Sequence, residues 1–146
     1  MTLPTENSGR IVQTWKDGLR ILWTYIPEMP SVDARSVMPW LTVMRWEYDG
    51  SGNRGMPSNE ENQRMLTLEA ALEKVERPNF CYEAYRRIGA GVREFVYYVA
   101  DRDTFLEEFN KYATDPRYPI CIKYYKDEAW SDLQDLIDDF KTAGTA

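Results

Sequence analysis

Residues 80–99 read Phe80-Cys81-Tyr82-Glu83-Ala84-Tyr85-Arg86-Arg87-Ile88-Gly89-Ala90-Gly91-Val92-Arg93-Glu94-Phe95-Val96-Tyr97-Tyr98-Val99. β-Branched and aromatic residues fill both arms, as a pleated, half-buried surface favours. The three small residues between them supply a tight reversal. The stretch predicts a strand from Phe80 to Ile88, a turn at Gly89-Ala90-Gly91 and a second strand from Val92 to Val99, paired as an antiparallel hairpin. The Gly-Ala-Gly turn lacks a following Lys and Ser/Thr and has no helix N-terminus behind it, so it reads as a turn and not as a phosphate cradle.

Upstream of this hairpin, Ser58-Asn59-Glu60-Glu61 has the form of a capping box, in which the Ser58 hydroxyl accepts from the Glu61 amide and the Glu61 carboxylate reaches back. Met65, Leu68, Leu72 and Val75 then recur at helical spacing, and Pro78 ends the helix. Before it, Trp40 to Tyr48 reads as a strand and Asp49 to Pro57 as a loop. Further back, Ile11–Trp15 and Leu19–Ile26 flank Asp17-Gly18, a strong hairpin-turn dipeptide. Pro27 and Pro30 stop the second arm and open a loop running to Pro39. Downstream, Phe105, Leu106, Phe109, Tyr112 and Ala113 mark a helix closed by Pro116 and Pro119. Ile120 to Tyr125 reads as a strand, and Trp130, Leu133, Ile137 and Phe140 form the stripe of a C-terminal amphipathic helix.

From Trp40 the order is strand, helix, strand, strand, helix, strand, helix. Right-handed crossovers fold such a βαββαβ unit into a ferredoxin-like sandwich, an α+β fold with helices on one face of an antiparallel sheet. The expectation is one domain over 1–146: an N-terminal β-hairpin at 10–26, a ferredoxin-like core at 40–125 and the C-terminal helix at 127–142. The hairpin would extend an edge of the sheet or cover its open face. Cys81 and Cys121 fall on strands expected at opposite edges, too far apart to bond.

The sheet strands are apolar on both sides, although a half-buried strand needs only one such side. Trp40, Thr42, Met44, Trp46 and Tyr48 alternate with Leu41, Val43, Arg45 and Glu47. Phe95, Tyr97 and Val99 alternate with Val96 and Tyr98. A second layer must therefore cover the side away from the helices: either the protein's own hairpin, with Trp15, Trp23 and Tyr25, or a partner laid on an aromatic patch. The residues expected to meet that partner are Arg45, Arg93, Phe95 and Tyr97.

The chain has 146 residues, 18 Lys plus Arg, 24 Asp plus Glu and no His, for a net charge of −6, with 43% hydrophobic and 14% aromatic residues. Without histidine there is no Ser-His-Asp or Cys-His nucleophile system and no imidazole base, and two cysteines do not make a four-thiolate zinc site. An acidic chain repels a phosphate backbone, which disfavours nucleic acid. Nothing approaches the ~20 apolar residues of a membrane span. The N-terminal stretch lacks the basic start and apolar run of a secretory signal. Both points set the expectation of a cytoplasmic protein.

Four constellations bear on chemistry. Asp49, Ser51, Asn53 and Glu60 match positions 1, 3, 5 and 12 of a calcium loop, but Arg54 takes the glycine position, Pro57 takes position 9, and a strand precedes instead of a helix. Phe95-Val96-Tyr97-Tyr98 matches the end of an RNA-stacking strand, yet Arg93 and Glu94 break its start; Arg45, Arg86, Arg87 and Arg93 are the basic groups nearby. Asp132, Asp135, Asp138 and Asp139 read as the solvated face of an amphipathic helix, able to steer a basic partner. Finally, Glu47, Glu83 or Glu94 beside Arg45, Arg87 or Arg93 would serve a ligand site or an enzyme if a concave pocket gathered them.

The segments Gly55-Met56-Pro57-Ser58-Asn59-Glu60-Glu61, Leu68-Glu69-Ala70-Ala71-Leu72-Glu73, Gly91-Val92-Arg93-Glu94-Phe95-Val96-Tyr97-Tyr98-Val99 and Asp127-Glu128-Ala129-Trp130, with Trp15-Lys16-Asp17-Gly18 upstream, resemble the bacterial family known as domain of unknown function 695 (DUF695). More distantly, the Gly-Met-Pro, its following helix and the Arg-Glu-Phe-x-Tyr-Tyr strand are similar to the B-type protein inhibitor of ribonuclease E. That resemblance implies an acidic ferredoxin-like regulator acting by protein contact.

These readings together set the expectation of a non-catalytic protein-binding or regulatory module, with no catalytic residues, cofactor or metal. Its partner would be a protein or a second copy of the chain. The rival is a small-ligand binder or enzyme. An uncovered aromatic sheet face would favour the partner, and a polar-rimmed pocket the ligand.

Overall fold

A computed structural model describes residues 9–115 and 117–143. The end assigned to the second helix at Pro116, and the stretch 1–8, lie outside the described residues. The hairpin at 80–99 forms the middle of the sheet. Strands β1 (Arg10–Lys16), β2 (Leu19–Tyr25), β3 (Trp40–Glu47), β4 (Cys81–Gly89), β5 (Val92–Val99) and β6 (Ile120–Lys126) make one antiparallel sheet in the order β1-β2-β4-β5-β3-β6. Four helices accompany it among the described residues: α1 (Val32–Ser36), α2 (Asn59–Glu73), α3 (Arg102–Tyr112) and α4 (Ser131–Ala143). No helix among these residues is long and apolar enough to cross a membrane.

Local chemistry sets the boundaries. Asp17 (φ 53°) and Gly18 (φ 80°) turn β1 into β2, and Ala90 (φ 53°) and Gly91 (φ 82°) turn β4 into β5. Gly89 meets a second demand: a Cβ there would lie 2.2 Å from the Arg20 carbonyl oxygen, so only glycine lets β2 approach β4. Ser58 caps α2, accepting from the Glu61 amide at 3.2 Å. The other half of the expected capping box is replaced, because the Glu61 carboxylate accepts from Trp46 Nε1 at 2.8 Å. α1 falls inside the span read as loop. Its Ser31 cap accepts from the Ala34 amide at 3.2 Å, a signal too short to carry a periodicity.

The alternation along β3 and β5 divides two cores. Met44, Trp46, Phe95, Tyr97 and Val99 pack against Met65, Leu68 and Leu72 of α2 and Phe105 and Phe109 of α3. Leu41, Val96 and Tyr98 pack on the other side against Trp130, Leu133 and Ile137, with Met38 beside them. The second face is therefore covered by α4 with α1 next to it. This corrects the expectation that helices occupy one face and that the hairpin or a partner covers the other. The hairpin extends the sheet in its own plane, β2 pairing with β4 from Ile21↔Gly89 to Tyr25↔Tyr85. Cys81 is buried on β4 and Cys121 exposed on β6; both are free thiols, with β5 and β3 between their strands.

Candidate functional site

The cleft of this protein is a consequence of unequal strand lengths. Pro27 and Pro30 take the chain out of the sheet after Tyr25, whose partner is Tyr85. β4 begins earlier, at Cys81, so among the described residues no strand pairs with its first residues on the β2 side. Cys81 instead exchanges backbone hydrogen bonds with Arg77 at 3.1 and 3.2 Å. A β-bulge between Glu83 and Tyr85 adds a local twist at the same place. The gap is a cleft of about 960 Å³. Tyr25, Pro30, Met38 and Tyr82 contribute apolar and aromatic walls, and Glu76, Glu83 and Arg86 contribute polar groups. Its size and lining are those of a small-ligand site.

Its electrostatics are unusual for an open cleft. Burial, reinforced by the negative charge of Glu73, pushes the Glu76 carboxyl up to about 7, against a hydrogen bond from the Glu83 backbone N–H. Burial and then the charge of Glu76 push Glu83 up to about 7 as well, against the Tyr97 hydroxyl and Arg93. Tyr97 donates to Glu83 Oε2 at 3.3 Å, and Arg86 Nε lies 3.1 Å from Glu83 Oε1 without the alignment of a hydrogen bond. Arg86 is also paired with Glu69 of α2, which Arg93 reaches at 3.2 Å. Burial, and then Arg86, lower Arg93 to about 10. Arg77 is paired with Glu108 of α3.

Cys81 also lines the cleft. Burial raises its thiol first, and the charges of Glu76 and Glu83 raise it further, so it stays protonated, the opposite of an activated nucleophile. The two carboxyls can hold or release protons near neutrality. No activated nucleophile stands beside them among the described residues of the lining.

The residues singled out from the sequence fall elsewhere or divide. Phe95 and Tyr97 have no exposed surface and lie under α2 and α3. Arg93 is 13% exposed and tied to α2, whereas Arg45 is 44% exposed, on the opposite side of the sheet, and pairs with Glu94 at 3.4 Å and Glu47 at 3.7 Å. These four therefore do not form one surface. Glu94 also accepts from Arg87 at 2.7 Å. Of the glutamates considered for a pocket, Glu83 alone lines the cleft, with Arg86 beside it.

Asp49, Ser51, Asn53 and Glu60 do not converge. Asp49 accepts from the Ser51 amide and hydroxyl at 3.0 and 2.7 Å, Asn53 donates to the Pro57 carbonyl at 2.8 Å, and Glu60 is exposed in the first turn of α2. No group of three or more acidic or cysteine side chains suited to a metal ion occurs among the described residues. Asp135, Asp138 and Asp139 are exposed as expected of a solvated face. Asp132 instead turns inward and accepts from the Tyr85 hydroxyl at 2.8 Å.

Glu76 was missed in the sequence. Glu73 ends α2, Lys74 is its C-cap, and Glu76 and Arg77 follow, a run of alternating charge that marks no site in the sequence.

Residues 28–137 match the profile of the family of unknown function DUF695. The chain belongs to this family. The match takes in α1, α2, α3, strands β3–β6 and α4 as far as Ile137, so most of the cleft of this DUF695 protein lies within it. The β1–β2 hairpin, with Trp15-Lys16-Asp17-Gly18, lies before it. No curated protein and no solved structure matches this DUF695 chain.

Proposed function

We propose that this DUF695 protein is a non-catalytic regulatory module that binds a small ligand in the cleft beside β4. The observation that carries the reading is the meeting, in one cleft of about 960 Å³, of aromatic side chains with two carboxyls that burial and neighbouring negative charge hold above the ordinary carboxylate range. Both sheet faces are occupied by the protein's own helices, which removes the main argument for a partner on an aromatic face. A screen of small molecules by amide chemical shifts tests it. Saturable shifts of Tyr25, Tyr82 and Glu83 are the expected result; a library that leaves these amides unmoved overturns it.

We read β3–β6 with α2 and α3 as a ferredoxin-like unit. The antiparallel order β6-β3-β5-β4 inside the larger sheet supports this, with the hairpin added beyond β4. The exposed free thiol of Cys121 fits a reducing, cytoplasmic setting.

A second reading is protein contact at the sheet edge. Among the described residues no strand pairs with the outer side of β1, which carries Ile11 at 71% and Trp15 at 64% exposure. Such an edge pairs readily with another strand. Sedimentation of the native protein beside Ile11→Lys tests self-pairing: a dimer lost in the variant supports it, and a monomer at all concentrations removes it.

A further inference from the structure

We propose that the cleft beside β4 takes a small organic cation, an alkylammonium or guanidinium on a short apolar body; this rests on the reading of the cleft as a ligand site. The first argument is charge balance. The two arginines of the lining are already engaged, Arg86 with Glu69 and Glu83 and Arg77 with Glu108. Glu73 and Glu76 line the same cleft and have no cation within ion-pair distance among the described residues. Within the lining, acids outnumber bases, and the surplus lies on one wall.

The second argument is the direction of α2. Its C-terminal end, where carbonyl dipoles concentrate negative potential, has no basic residue in its last turn; the C-cap Lys74 lies over the Tyr112 ring at 5.9 Å and outside the cleft lining, which Glu73 and Glu76 on either side of it do reach. A cation seated there meets the helix end, Glu73 and Glu76 together. The third argument is the apolar part of the lining, where the half-buried Pro30 and Tyr82 present surface and one aromatic ring, with Tyr25 and Met38 of the core beneath at 5% and 2% exposure. Rings favour a cation over an anion of the same size, and alkyl carbons pack on the rest.

The protonation of the site follows from the same arrangement. Glu76 and Glu83 face one another's charge and that of Glu73; Arg93 acts against this at Glu83, Arg86 lies 3.1 Å from Glu83, and Arg77, in the same lining, is paired with Glu108, while Tyr97 and Cys81 are neutral. Both carboxyls are therefore held well above the ordinary carboxylate range and keep proton more readily than a free glutamate. A bound cation supplies the missing positive charge, so protons leave as it enters and affinity rises with pH.

Calorimetry at about pH 7 with 1,4-diaminobutane and n-butylguanidine as probes, and 1-butanol and butyrate as controls, tests this. Repeating it in buffers of different ionisation enthalpy counts the protons released. The expected result is saturable binding of the two cations with proton release, weakened about tenfold or more in Glu76→Gln and Glu83→Gln. Glu73→Gln, at an exposed position that leaves the fold intact, should weaken it severalfold. Binding of butanol or butyrate in place of the cations, with shifts of the Tyr82 and Glu83 amides, overturns the cation and keeps the ligand site. Binding of calcium or magnesium chloride that displaces the amine also overturns it. Silence of every probe and of the wider screen overturns both readings.

Discussion

Tyr98 and Trp130 stack face to face, their ring centroids 3.8 Å apart and their planes within 8° of parallel. The Tyr98 hydroxyl donates to Asp127 at 2.7 Å and accepts from the Leu133 amide at 3.3 Å, while Asp127 also accepts from the amides of Ser131 and Asp132. Trp130 Nε1 donates to the carbonyls of Arg35 and Met38. One stacked pair thus fixes the start of α4, its position on β5 and its contact with the segment around α1.

Tyr98→Phe keeps the stack and removes the hydroxyl, leaving a buried amide and a carboxylate without their partner. The expected cost is about 1–3 kcal/mol in chemical denaturation. Trp130→Ala removes the stack and opens a cavity, for about 3–5 kcal/mol, with binding of a hydrophobic dye to the exposed face. Equal effects of the two variants would show that the ring contributes nothing beyond the hydroxyl.

Stability should fall as pH rises through neutrality. Glu76 and Glu83 are raised from an ordinary 4.5 to about 7, so between these values the folded state keeps protons that the unfolded chain releases. Their contribution is complete below about 4.5 and is lost as pH rises through about 7. Asp101, Asp115 and Asp127 are lowered, and their contribution is lost in the opposite direction, as pH falls below the usual carboxylate range. A stability maximum in mildly acid buffer is expected, with a decline toward about pH 8 on the order of 2 kcal/mol after allowance for solvent screening. Glu83→Gln should flatten that decline in melting curves; an unchanged slope would count against the assignment.

Glu61 holds the indole of Trp46, whose side chain is completely buried. Glu61→Ala leaves that N–H unpaired and should destabilise by about 1–3 kcal/mol. Glu61→Gln retains an acceptor and should lose much less. Ser58→Ala tests the cap separately, at about 1 kcal/mol.

In the native protein a thiol reagent should modify Cys121 alone. Cys81 is 2% exposed, and its thiol is raised by burial. Titration should give about one equivalent folded and two in denaturant, with the second appearing at the rate of unfolding.

Much of this architecture was written in short-range chemistry. Asp17-Gly18 and Gly89-Ala90-Gly91 are turns because they accommodate positive φ, and Ser58 marks a helix start because its hydroxyl reaches an amide three residues on. Alternation sorted Phe95 and Tyr97 from Val96 and Tyr98 correctly, yet alternation fixes only which residues share a face. It does not say what lies above them. The stripe Trp130, Leu133, Ile137 and Phe140 identified α4 as amphipathic, but a stripe names no partner, so its place on the second face stayed hidden. The cleft was hidden for a related reason. It arises from where β2 stops relative to where β4 starts, a matter of register between segments about sixty residues apart.

The layer that closes the second face comes after all six strands in the chain. During synthesis the completed sheet therefore waits with Leu41, Val96 and Tyr98 bare until Trp130 and the residues behind it leave the ribosome. For that interval the nascent chain presents an aromatic surface of the kind chaperones bind. A stop codon or protease cut just before Trp130 would make the exposure permanent, turning a folded domain into a quality-control substrate.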